Sequence, residues 1–224
     1  MSNLLPHITL ETGKQPQHSI IWLHGLGAGG EDFVPVAEDM SLPLPVRYIF
    51  PHAPMQPVTI NGGFVMRAWY DIAGASIDAK QDEAGIRASQ AAIEALIAQE
   101  KQRGIAPENI YLAGFSQGGA IALHTGLRQA SRLGGIIALS TYLLLEQTLA
   151  HEASTASVNT PIFMAHGHSD PLVPYALGKT SAEKLSGLGY ALEWREYAMQ
   201  HSVCMEEIRD IEAWLTRRMA CNSL

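Results

Sequence analysis

Only two cysteines occur in this chain, Cys204 and Cys221, and their separation fits no metal or redox spacing. Nothing in the fold is therefore expected to need a disulfide. Basic residues are also scarce: 15 Lys and Arg face 22 Asp and Glu, a net charge of −7. No basic run could track phosphates, which argues against a nucleic-acid partner. No apolar stretch is long enough to span a bilayer, which argues against stable membrane insertion. The opening Met1-Ser2-Asn3-Leu4-Leu5-Pro6-His7 has neither a positive segment nor a long apolar core, so no secretory signal is read there. Cytoplasm is the expected location. Repeats, linkers and low-complexity tracts are missing as well, so residues 1–224 are read as one domain.

What is present is alternation. Apolar residues make up 47% of the chain and charged residues 17%, as in soluble globular proteins. Short apolar, β-branched runs predict strands at residues 19–23, 47–50, 109–113, 135–139, 162–166 and 192–197. Helices are predicted over 81–103, 117–131, 176–188 and 204–219. The last carries Cys204, Ile208, Ile211, Leu215 and Met219 on one face. Its acids, Glu206 and Glu207, come early and Arg217 and Arg218 late, as the helix dipole prefers. The fold class is α/β: a mainly parallel twisted sheet with helices on both faces. Residues 55–79 fit no period yet carry Phe64, Met66, Trp69 and Tyr70. Such a segment is either a substrate-binding lid suited to an acyl chain or a cover over the sheet edge. Ser140-Thr141-Tyr142-Leu143, after another strand, is a second candidate lining.

The chemistry centres on Gly114-Phe115-Ser116-Gln117-Gly118. A strand-like run, Asn109 to Ala113, precedes it and a helical run, Gly119 to His124, follows it. Gly-x-Ser-x-Gly on a strand-to-helix turn is a nucleophile elbow, against the alternative of an ordinary Gly-rich turn with an exposed serine. Serine needs a base, and the base an orienting acid, in the chain order Ser, acid, His. Between Ser116 and His201 the one aspartate is Asp170, and His201 is the one histidine beyond it. Asp170 follows an apolar run ending at Gly167, and Pro171 and Pro174 forbid an immediate helix. The other acids in that interval are Glu146, Glu152, Glu183, Glu193 and Glu196; with Asp170 as the acid, the order gives Ser116 as nucleophile, His201 as base and Asp170 as its orienter. The alternative for His201 is a capping or core histidine.

A tetrahedral oxyanion requires N–H donors. Gln117, the residue after the nucleophile, supplies one. The second is assigned to Leu26, in the loop His24-Gly25-Leu26-Gly27-Ala28-Gly29-Gly30 that follows the first strand. Gly25, Gly27 and Gly30 also match a dinucleotide fingerprint, but that reading leaves the Ser-Asp-His set unexplained. His166-x-His168-x-Asp170 looks like part of a metal site, yet no second ligand cluster appears, so no metal is expected. A non-catalytic binding module is the remaining alternative.

Together these motifs resemble the carboxylesterase/acyl-protein thioesterase family of α/β-hydrolases. The resemblance runs from about Ser19 to Leu215. It includes His24-Gly25-Leu26-Gly27, Pro51-His52-Ala53-Pro54, Asn61-Gly62-Gly63, Arg67-Ala68-Trp69-Tyr70-Asp71, the elbow, Leu139-Ser140, His166-Gly167 with Asp170-Pro171, and His201-Ser202-Val203-Cys204. It implies an α/β-hydrolase fold, the triad Ser116, Asp170 and His201, and oxyanion donors at Leu26 and Gln117. It is closest to small bacterial carboxylesterases. The implied activity is serine carboxylesterase on short- to medium-chain esters through an acyl-enzyme, with acyl-protein thioesterase or lysophospholipase as the alternative. The implied partner is a small ester or acylated substrate. Members are cofactor-free, and several form homodimers. The chain departs from the family pattern at two places: Gly29 stands where an Asp is usual, and Gln200 where a Gly is usual.

Overall fold

Three strands of this chain are buried end to end and a fourth in all but its last residue, and together they form the middle of a seven-stranded sheet. The computed structural model describes residues 4–74 and 80–221. In chain order the elements are β1 (His7–Glu11), β2 (His18–Leu23), α1 (Val34–Asp39), β3 (Val46–Pro51), β4 (Met55–Val58), β5 (Phe64–Arg67), α2 (Glu83–Gln102), β6 (Ile110–Phe115), α3 (Gln117–Gly126), β7 (Gly135–Leu139), α4 (Glu146–Glu152), α5 (Thr155–Val158), β8 (Ile162–Gly167), α6 (Tyr175–Gly187), β9 (Leu192–Tyr197) and α7 (Met205–Cys221). The sheet order is β1-β3-β2-β6-β7-β8-β9, parallel except for β1, which runs antiparallel to β3. Strands covered on both faces read as continuous apolar runs, which is why β2, β6, β7 and β8 were legible.

Successive side chains of a strand point to opposite faces, and two cores result. Ile21, Leu23, Ile110 and Leu112 join residues of α2, α3 and α6 on one face. On the other, Ile20, Trp22, Tyr111 and Ala113 pack with Ala37 of α1 and with Ile208, Ile211, Trp214 and Leu215 of α7. The chain starts at the edge strand β1, passes to β2, returns to β3 between them, then crosses to the other side of β2 with β6 and continues through β9. The loops after β2 and β6 therefore meet at the point where strand order reverses. Crevices for ligands open at such a point, beyond the carboxyl ends of the strands.

Differences from the predicted elements have local causes. The helix predicted over 117–131 stops at Gly126: Leu127 N–H still reaches Leu123 O, but Arg128 and Gln129 N–H turn to Thr125 O and Gly126 O, three residues back. β1 is a half-exposed edge that exists through its pairing with β3, a contact some 40 residues distant in sequence. The irregular segment 55–79 contains the hairpin of β4 and β5, paired from Met55↔Arg67 to Val58↔Phe64. Residues 75–79 of that segment lie outside the described residues. Among the described residues, no helix is long and apolar enough to cross a membrane.

Candidate active site

Ser116 sits at the junction of β6 and α3 with φ 54° and ψ −122°. For a residue with a Cβ this region costs about 1–3 kcal/mol and survives only where the surroundings enforce it. Here they do. Ser116 N–H donates to Leu139 O at 2.8 Å, continuing the ladder to β7. Its carbonyl accepts from Thr141 Oγ1 at 2.7 Å and from Ala120 N–H at 3.0 Å. The flanking glycines permit the tight turn: a Cβ on Gly114 would lie 2.4 Å from Gly118 O, and one on Gly118 2.4 Å from His24 O. The elbow is thus pressed against the loop that follows β2.

Asp170 and His201 are brought together. His201 Nδ1 is 2.7 Å from Asp170 Oδ2. Asp170 Oδ1 accepts from Leu172 N–H and Val173 N–H, both at 2.9 Å, so the buried carboxylate is held at both oxygens. The His201 ring packs on Phe115, the residue before the serine, with centroids 4.7 Å apart. Ser116 Oγ and His201 Nε2 each have no hydrogen-bond partner among the described residues. They are the two atoms a proton transfer would use. Catalytic hydrogen bonds of this kind commonly close only around substrate.

His166 was read as a possible metal ligand; its geometry fits support of Asp170 instead. It is fully buried, and Nε2 sits 2.9 Å from Val173 O and 3.4 Å from Asp170 Oδ2. Burial holds its pKa below the usual histidine value, so the ring is neutral with Nε2–H directed at Val173 O. His168 points elsewhere, to Glu196. Among the described residues, no group of three or more His, Cys, Asp or Glu side chains is placed to hold a metal ion.

The oxyanion candidates occupy adjacent loops. Gln117 begins α3, where first-turn N–H groups have no intrahelical acceptor. Leu26 N–H has no partner among the described residues, while Gly27 N–H beside it donates to Arg67 O at 2.9 Å. That bond ties the loop to β5. At the departure from the family pattern, the place a side chain on Gly29 would take holds the Glu31 carboxylate, 2.5 Å from an ideal Cβ. The loop is instead fastened by His52, whose Nδ1 accepts from Gly30 N–H at 3.0 Å. Gln200 has an ordinary negative φ and an exposed side chain, so its presence imposes no backbone strain.

The four residues proposed to touch substrate separate into two pairs. Phe64 is 69% exposed on the hairpin, and Met66 lies beside Gly27 in the oxyanion loop. Trp69 and Tyr70, at 1% and 3% exposure, are closed off in the core. Trp69 N–H donates to Gln117 Oε1 at 2.8 Å and its indole Nε1–H to His24 O at 2.9 Å. Tyr70 O accepts from Gln117 Nε2 at 2.7 Å, and its hydroxyl meets that of Tyr142 at 3.0 Å. Sequence reasoning missed these roles, although a glutamine inside an otherwise apolar buried turn was a usable signal.

Residues 6–218 match the profile of the phospholipase/carboxylesterase family. The chain belongs to that family. An acyl-protein thioesterase 1 from Gibberella zeae is 40% identical, with 97% of each chain covered. One from Neurospora crassa is 42% identical over 90% of this chain and 86% of its own. Among solved structures, acyl-protein thioesterase 2 from Zea mays superposes with a TM-score of 0.82 at 30% identity, covering 95% of this chain and 99% of that one. Family membership makes the protein an α/β-hydrolase-fold enzyme of the hydrolase class.

Proposed function

We propose that this phospholipase/carboxylesterase-family enzyme is an acyl-protein thioesterase, cleaving the thioester that joins a fatty acyl group to a protein cysteine. The observation that carries the choice is end-to-end similarity, at 40% identity, to a protein of that name. It favours the thioester over the short- to medium-chain carboxylic ester that the motifs alone suggested. The mechanism follows from the site. Ser116 Oγ attacks the thioester carbonyl while His201 Nε2 takes its proton. Asp170 holds the imidazole with Nδ1–H toward the carboxylate, at 2.7 Å, and stabilises the imidazolium. The oxyanion is received by the N–H groups of Leu26 and Gln117. The imidazolium then protonates the departing thiolate, and water, activated by the same histidine, releases the acid and regenerates the serine. The exposed apolar hairpin around Phe64, Val65 and Met66, next to the oxyanion loop, supports an acyl chain laid on that side.

Paired peptides test the reading: one S-acylated on cysteine, its counterpart O-acylated on serine, each from acetyl to palmitoyl. The expected result is a kcat/KM for the long-chain thioester at least tenfold above that for the matched ester. A preference for short-chain oxygen esters would return the enzyme to the carboxylesterase reading.

A further inference from the structure

The two proposed oxyanion donors come from different elements, the loop after β2 and the start of α3, and something must set the distance between them. Gln117 contributes more than its backbone. Its carboxamide lies across residues 69–70 as a neighbouring strand would, Oε1 accepting from Trp69 N–H and Nε2 donating to Tyr70 O. From Trp69 the connection continues through the indole N–H to His24 O, two residues before Leu26. His24 is itself fixed: Nδ1 lies 2.7 Å from Gly25 O, and Nε2 accepts from Ala53 N–H at 3.0 Å. Burial lowers its pKa, which keeps that tautomer neutral. Segment 69–71 is in turn pinned to α2, since Ser89 Oγ donates to Trp69 O and Asp82 Oδ2 accepts from Asp71 N–H at 3.0 Å. His24, Trp69 and Gln117 are all at least 97% buried, so each of these polar groups would be left unpaired if its partner were removed.

We propose that Gln117, Trp69 and His24 form a hydrogen-bonded chain of positioning residues that fixes the spacing of the Leu26 and Gln117 N–H donors. The inference rests on the serine-hydrolase reading above. In that reading both donors must lie about 3 Å from an oxygen that becomes an anion only in the transition state. The carboxamide is chosen over an apolar side chain because it alone offers an acceptor and a donor to two successive peptide groups. Cutting this series of bonds leaves Ser116, His201, Asp170 and both donor N–H groups in place in the sequence, and alters only where the donors stand.

The experiment compares wild type with Gln117→Ala, Trp69→Phe and the double variant, using a fixed acyl thioester substrate. A trifluoromethyl ketone of matched acyl length reports the oxyanion site, because serine addition places an alkoxide there. Near-UV circular dichroism reports the folded fraction. Each single variant is expected to lose about 10- to 100-fold in kcat, as small displacements of catalytic groups do, with KM within about twofold. The ketone Ki should rise in step with the fall in kcat/KM. The double variant should lose little more than the worse single one, since a chain cut once no longer links the two donors. Trp69→Phe removes the indole N–H while keeping an aromatic side chain, and serves if Gln117→Ala fails to fold. Unchanged kcat in a folded variant, a kcat loss without a change in Ki, or strictly multiplicative losses would each overturn the chain. An inert wild type would instead overturn the hydrolase reading on which it rests.

Discussion

In the proposed mechanism two atoms matter most: Asp170 Oδ2 and His201 Nδ1, 2.7 Å apart. The carboxylate is useful because Leu172 and Val173 N–H groups already hold its other oxygen. Replacing Asp170 by Asn keeps the shape but presents an N–H or a weaker acceptor to the ring. Stabilisation of the wrong tautomer lowers kcat about 10⁴-fold in the trypsin case, and a comparable loss is expected here from Asp170→Asn in steady-state thioester hydrolysis. Ser116→Ala should be poorer still, and retention of more than a tenth of wild-type activity would remove Ser116 from its role. The contact between Asp170 and His201 was legible in the sequence, because beyond Ser116 there is one aspartate before His201 and one histidine after that aspartate. The positions of Trp69 and Tyr70 were not. Their types suit a substrate wall and a core equally, and it is hydrogen bonds with Gln117, His24 and Ser89 that draw residues 69–70 inward.

At the scale of elements, the buried parallel strands and the long amphipathic helices could be read from periodicity, since each is covered by the core on a predictable face. β1 and the β4–β5 hairpin could not. Both are short, half-exposed and dependent on partners, with Pro57 inside β4 further obscuring the pattern. The hairpin is nevertheless where element and activity meet. It exposes Met55, Phe64 and Val65 to solvent, while Arg67 O anchors Gly27 in the oxyanion loop. Polar replacement of side chains that are already exposed should cost the fold little, usually within about 0.5 kcal/mol. Phe64→Ser with Val65→Ser is therefore expected to leave the urea midpoint unchanged and to raise KM for palmitoyl substrates several-fold, with acetyl substrates unaffected. Equal effects on both acyl lengths would place the chain elsewhere.

For the whole molecule, two buried titratable groups limit stability from opposite sides. Glu207, in the first turn of α7, is fully buried, and neither carboxyl oxygen is hydrogen-bonded; Cys204 N–H faces it from outside bonding geometry. Burial pushes its pKa up to about 8, with Asp210 adding to the shift and the Cys204 amide opposing it. The native state thus binds this proton more tightly than the unfolded chain. Its contribution is fully present below the unfolded value near 4.5 and is lost as pH rises toward 8. His124 works in the reverse sense. Burial, then Arg128 and Arg87, lower its pKa to about 3, so stability is lost as pH falls from 6.5 toward that value. Glu207→Gln should flatten the alkaline side of the stability profile and His124→Gln the acid side, measured as urea midpoints from pH 4 to 9. A profile unchanged by either would show that these groups titrate alike in both states. The same architecture delivers Ser116, His201, the loop after β2 and the start of α3 to the carboxyl ends of the parallel strands. The most direct test is to mix the enzyme with an S-palmitoyl peptide, quench in acid within milliseconds, and map the product by mass spectrometry. A palmitoyl adduct on Ser116 that disappears on longer incubation and never forms in Ser116→Ala is expected; thioester cleavage with no acyl group ever found on Ser116 would contradict the account.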